Sequence, residues 1–212
     1  MTTNVSGAVP IRGRTALSGN SGRTIDATMK VDLEGTEQWF DDVDPTATGA
    51  KTRRSNRRIL CMLVRNEAAD VLLPKYTVTW KSGKRGLQVD GYCDVTSEAC
   101  AGVVDEFLPS TGVPVHDLFW IAVKGPSLMR TDLAGGANNS IALDDLLVAL
   151  TAVTSGATTA GRVAPFALTA TSTATTDGTQ TRGIINNFGR ALSARTTANT
   201  NVDILVDTYF VK

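Results

Sequence analysis

Histidine is almost missing from this 212-residue chain: His116 is the only one. Imidazole is the side chain that most readily exchanges a proton near neutral pH, so a chain with one of them has few routes to acid–base catalysis. Cysteine is scarce too. Cys61, Cys93 and Cys100 form an odd set without a CxxC pair, which argues against a disulfide framework and, beside a single histidine, against a four-ligand zinc site. Cys93 and Cys100 are close enough in sequence to meet across a turn, but the expectation for all three is a small buried apolar side chain. Long apolar runs are also lacking. "ILCMLV" (59–64) falls well short of the ~20 residues that cross a bilayer, and "MTTNVSGAVPIRGRT" at the N-terminus has no signal-peptide core. The expectation is a soluble protein made and kept in the cytoplasm of its producing cell. Neither charge sign is in excess: 21 basic side chains meet 21 acidic ones, so no whole-molecule field draws the protein to nucleic acid or to anionic lipid.

What is present reads as short strands. Residues 1–23 are rich in Gly, Ser, Thr and Asn and carry Arg12, Arg14 and Arg23, the composition of an arm that orders on a partner. "TIDATMKVDL" (24–33) alternates apolar and polar residues, the pattern of a half-buried strand. "EQWFDDVDPTATGAKTRRSN" (37–56), broken by Pro45 and Gly49, reads as a long loop. "RRILCMLVRN" (57–66) and "YTVTW" (76–80) are strand candidates, and beyond them a Gly or Pro falls between successive short apolar runs. That spacing predicts a mainly all-β fold, a compact β-sandwich or small β-barrel with an extended N-terminal arm and long loops. The division is 1–57 for arm, first strand and long loop, and 58–212 for a β-rich domain. Thr- and Ala-rich stretches at 154–161 and 169–182 read as loops, and "NVDILVDTYFVK" (201–212) as a closing strand with Val202, Ile204, Val206 and Phe210 on one face.

An internal repeat places His116. "VPVHDLFWIAV" (113–123) aligns with "IALDDLLVALT" (141–151), matching His116–Asp117 with Asp144–Asp145, each polar pair leading into an apolar run. The repeated element is a polar turn feeding a strand. For 141–153 one short helix is the alternative, since Leu143, Leu146, Leu147 and Leu150 have helical spacing and Ser140 can cap it.

Catalysis at His116 would need a nucleophile and an orienting group, and Asp117, one residue on, points to the opposite face of an extended chain. No GxSxG, HExxH or P-loop pattern occurs, so no catalytic residue, cofactor or metal ligand is assigned. The basic run "KTRRSNRR" (51–58) places five cations in eight residues and makes a nucleic-acid-binding module the alternative function. It lacks interleaved aromatics, and Asp41 and Asp42 precede it, which favours a solvated loop or an acidic protein surface as its partner.

Three segments resemble the capsid cement, or decoration, proteins of tailed bacteriophages. "LVRNEAADVLLPKYTVTW" (63–80) has that family's strand ending in Asn, apolar and proline turn, and second strand. "GVVDEFLPSTGVPVHDLFWIAVKGP" (102–126) is similar to its central segment, and "GRALSARTTANTNVDILV" (189–206) to its ending. The resemblance spans about residues 58–211. It implies a non-enzymatic structural virion protein that binds the major capsid protein on the capsid exterior and stabilises the head, as a homotrimer assembled in the host cytoplasm, with no membrane partner. Residues 1–57 depart from the family pattern. The side chains expected to meet carboxylates of a neighbouring subunit are Arg12, Arg14, Arg23, Arg53, Arg54, Arg57 and Arg58.

Overall fold

The structure, a computed structural model, describes residues 8–12, 24–26, 33–44, 53–93, 100–131, 140–149, 161–165, 188–194 and 203–210. The twelve strands among them, in chain order, are β1 (Ala8–Arg12), β2 (Thr24–Asp26), β3 (Glu37–Val43), β4 (Arg53–Asn66), β5 (Thr77–Trp80) and β6 (Gln88–Tyr92), then β7 (Cys100–Val104), β8 (Leu118–Arg130), β9 (Leu146–Ala149), β10 (Val163–Pro165), β11 (Gly189–Ala191) and β12 (Asp203–Tyr209). The fold is all-β, as expected, and no helix occurs among the described residues.

β4 and β8 are the longest strands, and their length lets each serve two packing layers. β4 pairs antiparallel with β8, β8 with β7, β7 with β5 and β5 with β6, while β6 returns to β4 in parallel, so five strands close on themselves as a small barrel. Period-2 alternation then divides the side chains. Met62 and Val64 of β4, Phe119, Ile121 and Val123 of β8, Ala101 and Val104 of β7, Val78 and Trp80 of β5 and Val89 of β6 join one buried cluster; all five ring strands contribute, so it fills the barrel. The intervening Ile59, Cys61, Leu63, Leu118, Trp120 and Ala122 point the other way. There they meet Leu147 of β9, Ala191 of β11 and Ile204 and Val206 of β12, which extend the sheet beyond the second half of β8.

The polar-turn repeat is present, and it has three members. Leu72, Val113 and Ile141 each form a bridge, followed by a turn and then a strand, β5, β8 and β9 respectively. The turn residue Lys75, His116 or Asp144 has φ of 71°, 69° or 66°, a region that costs residues with a Cβ. Each donates its backbone N–H to a neighbouring segment: Lys75 to the Val104 carbonyl (2.9 Å), His116 to that of Asn66 (2.6 Å) and Asp144 to that of Ala191 (2.9 Å). The helix alternative at 141–153 therefore fails over the described part. Asp144 leaves helical φ, and Leu143, a member of the supposed apolar stripe, is 61% exposed.

Other expectations change as well. The long loop expected over 37–56 is in part a hairpin: β3 pairs antiparallel with β4, and Arg53 to Asn56 belong to β4. Its charged residues lower β propensity, and cross-strand ion pairs offset that. Strand structure in 24–33 covers Thr24–Asp26, residues 27–32 lie outside the described residues, and Leu33 is in a turn packed against the core. Ala8–Arg12, expected to order on a partner, pairs with the chain's own β8 through Ile11 and Arg12. Cys93 and Cys100 form a disulfide, against the expectation of three reduced thiols; β5 pairs with both β6 and β7, which brings the end of one and the start of the other to a Cα separation of 5.6 Å. Cys61 is buried in the core as expected. The loops expected at 154–161 and 169–182 lie outside the described residues except for Gly161, which is in a turn.

Candidate functional site

His116 stands in its turn with a side chain 70% exposed, its Nδ1 3.1 Å from Glu67 Oε1. Its backbone is structural: the N–H meets Asn66, and its carbonyl accepts from Arg65 Nη1 at 2.9 Å. Burial acts to raise the Glu67 carboxyl pKa; His116, with help from Lys81, outweighs that and holds it below the ordinary carboxylate value.

Arg53 to Arg58 of the basic run lie on β4, whose pairing with β3 shifts register between Asp41 and Val43, and the arginines meet different surroundings. Arg54 turns inward. Its guanidinium donates to Asp42 Oδ1 from Nε (3.0 Å) and Nη2 (2.6 Å), and to Glu106 from Nη1 and Nη2 (both 3.0 Å). Both carboxylate side chains are fully buried, and Ser55 Oγ adds a 2.7 Å bond to Asp42. Burial works to lower the Arg54 pKa, and Glu106 and Asp42 more than reverse it, raising it above the usual value. Arg54 is thus an internal clamp, which corrects its assignment to a neighbouring subunit: the bidentate partners are its own chain's. Arg53, Arg57 and Arg58 are more than half exposed, and each already meets a carboxylate. Arg53 is 2.8 Å from Asp41, Arg57 2.6 Å from Asp207, and Arg58 3.6 Å from Asp41. Arg12 is in β1; Arg14 and Arg23 lie outside the described residues.

Three residues that the sequence did not single out complete a site around Arg57 and Arg58. Strand register places Trp39 of β3 opposite Leu60 of β4, Leu60 opposite Lys124 of β8, and Lys124 opposite Tyr209 of β12. Directly paired residues share a face of the sheet, so these four form one row. Trp39 and Tyr209 remain 48% and 40% exposed. Between them lies an open groove of about 360 Å³, lined also by Arg57, Arg58, Gly125, Pro126 and Asp207. Gly125 makes the floor possible. It has φ of 101°, and a Cβ there would stand 2.4 Å from the Arg58 carbonyl oxygen. One sequence signal was available: Tyr209 has the opposite parity to Ile204 and Val206, so it points away from the core.

Fold and groove together define an all-β protein with a closed five-stranded barrel and an aromatic, basic surface cleft. No family model matches the chain, and no curated protein does either. Among solved structures, the N base of head fiber gp8.5 of bacteriophage phi29 is similar over 73% of this chain and 98% of its own, at 9% identity and a TM-score of 0.37. A likeness at that level transfers no role.

Proposed function

We propose that this protein is a structural component of a tailed-phage virion, a cement or decoration protein that binds the outer face of the head through the major capsid protein and acts as a homotrimer rather than as an enzyme. The observation that carries the reading is the interlocking of the three segments that resemble the cement family. Asn66, from the first, donates through Nδ2 to the carbonyls of Val113 (2.9 Å) and Pro114 (3.2 Å) in the second. Lys75, also from the first, meets Asp203 of the third at 2.5 Å, and Ile204 and Val206 of the third share a buried cluster with Leu118, Trp120 and Ala122 of the second. Segments far apart in the chain thus form one folding unit, as they would if the resemblance were to a whole domain and not to scattered short motifs.

The test is electron cryomicroscopy of heads purified from the native source, with light scattering of the isolated protein. Expected are repeated copies at fixed positions on the capsid exterior, and a solution mass three times that of the chain. Heads devoid of the chain, or its recovery only in tails or free lysate, would refute the reading.

A further inference from the structure

The described lining of the groove carries more positive than negative charge. Its two exposed rings stand at the ends of a row across four strands, so with neighbouring strands ~4.7–4.9 Å apart they are separated by about 14 Å, the length of roughly four extended residues. Between them the cations are unequally occupied. Arg57 is held by Asp207 at 2.6 Å. Asp41 is shared: it lies 2.8 Å from Arg53 but 3.6 Å from Arg58, which leaves the Arg58 guanidinium with donors to spare. Among the described residues no carboxylate lies within ion-pair distance of the exposed Lys124. Among the described residues lining the groove, three cations stand against one carboxylate, Asp207.

We propose that this groove docks an extended acidic segment of a partner protein, with carboxylates meeting Arg58 and Lys124 and an apolar side chain lying against Trp39 or Tyr209. Trp, Tyr and Arg are the side chains that most often dominate protein–protein binding energy, and here they converge on one cleft. Beneath the groove Gly125 lets β8 approach the β4 backbone at Arg58 closely, which holds the lining residues of the two strands together. A nucleic-acid strand fits less well. It brings a phosphate with every nucleotide, whereas Asp207 occupies the groove and already engages Arg57. The inference rests on the reading of the protein as a shell-binding component, and it names the chemistry the shell must offer.

The experiment uses the full chain and fluorescence anisotropy with three labelled probes: the peptide Leu-Asp-Leu-Asp-Leu, its Asn-for-Asp counterpart, and a short oligothymidylate. The acidic peptide should bind, and the Asn version about tenfold more weakly. Arg58→Gln and Lys124→Gln should each weaken binding by about two- to fivefold, as exposed charge pairs do, and the double variant more. Trp39→Ala should weaken it further, with circular dichroism and urea unfolding checking that each variant folds. Tighter binding of the oligothymidylate, equal binding of the two peptides, or indifference to the double variant would overturn the inference. So would failure of all three probes. Rebinding to stripped heads separates the two levels: if the double variant decorates them fully, the groove assignment fails and the shell reading stands, whereas a wild-type chain that never binds heads refutes the shell reading whatever the peptides do.

Discussion

The side chain of Asn66 ties the end of one long strand to the turn that starts the other. Its Nδ2 donates to the carbonyls of Val113 and Pro114, and its Oδ1 accepts from the Ala68 N–H at 3.0 Å, all with the residue fully buried. The backbone adds to this, since the Asn66 carbonyl accepts from His116 and its N–H donates to Asp117. β4 and β8 are thereby registered at one end of the barrel before any apolar contact is counted.

Asn66→Ala should destabilise the protein by about 2–4 kcal/mol, because it removes several buried bonds and takes the acceptor from the Ala68 N–H. Urea unfolding measures this. A loss below about 1 kcal/mol would show that water replaces the amide and that the clasp is not what holds the turn.

Gly125→Ala and Gly83→Ala form a matched pair. Both glycines have positive φ, but a Cβ at Gly83 meets nothing within 4 Å, while at Gly125 it meets the Arg58 carbonyl oxygen at 2.4 Å. The Gly83 variant should lose about 1–2 kcal/mol from backbone conformation. The Gly125 variant should lose at least about 3 kcal/mol, because β4 and β8 must also move apart. Equal losses in thermal or urea unfolding would contradict the close approach.

Within the basic run, position decides the cost of substitution. Arg54→Met leaves Asp42 and Glu106 buried without their cation and should cost about 3–5 kcal/mol. Arg53→Gln and Arg58→Gln, at exposed pairs, should each cost less than about 1 kcal/mol. Comparable unfolding midpoints for all three variants would overturn the inward placement of Arg54.

His116→Gln should leave fold and head binding intact and alter only the acid limb of stability. Glu67 has its folded pKa lowered, so its contribution is present above the ordinary carboxylate pKa and is lost as pH falls through the lower folded value. Wild type should therefore exceed His116→Gln in urea midpoint near pH 5, with the gap closing near pH 3. A gap that widens on acidification would reverse the assigned sign, and loss of head binding in a folded variant would give His116 a role beyond its turn.

Much of the core was legible because strand alternation is a local property. The apolar run of β4, the parity of Ile204 and Val206 in β12 and the polar turn before β8 all follow from neighbouring residues. The reading failed where residues drew their meaning from a distant partner. Glu37–Val43 looks like loop because its charges are unfavourable alone, and it becomes a strand because β4 pairs with it and Arg54 neutralises Asp42. Leu143 through Leu150 has helical spacing, and pairing of β9 with β10 and β11 outweighs it. The disulfide was missed because cellular compartment says nothing of whether the ends of β6 and β7 meet.

The sequence by itself determined that this is a β protein with its apolar residues on alternating positions, that His116 opens a strand, and that no catalytic motif is written along the chain, since each depends on residue types and short spacings. Only the tertiary structure decided that Arg54, among the four arginines of the basic run, is internal, and where an aromatic, basic cleft lies. Trp39, Lys124 and Tyr209 are distant along the chain and carry no shared pattern. The register of four strands, set by the closing of the barrel and the bulge-free run of β12 along β8, is what puts them in one row.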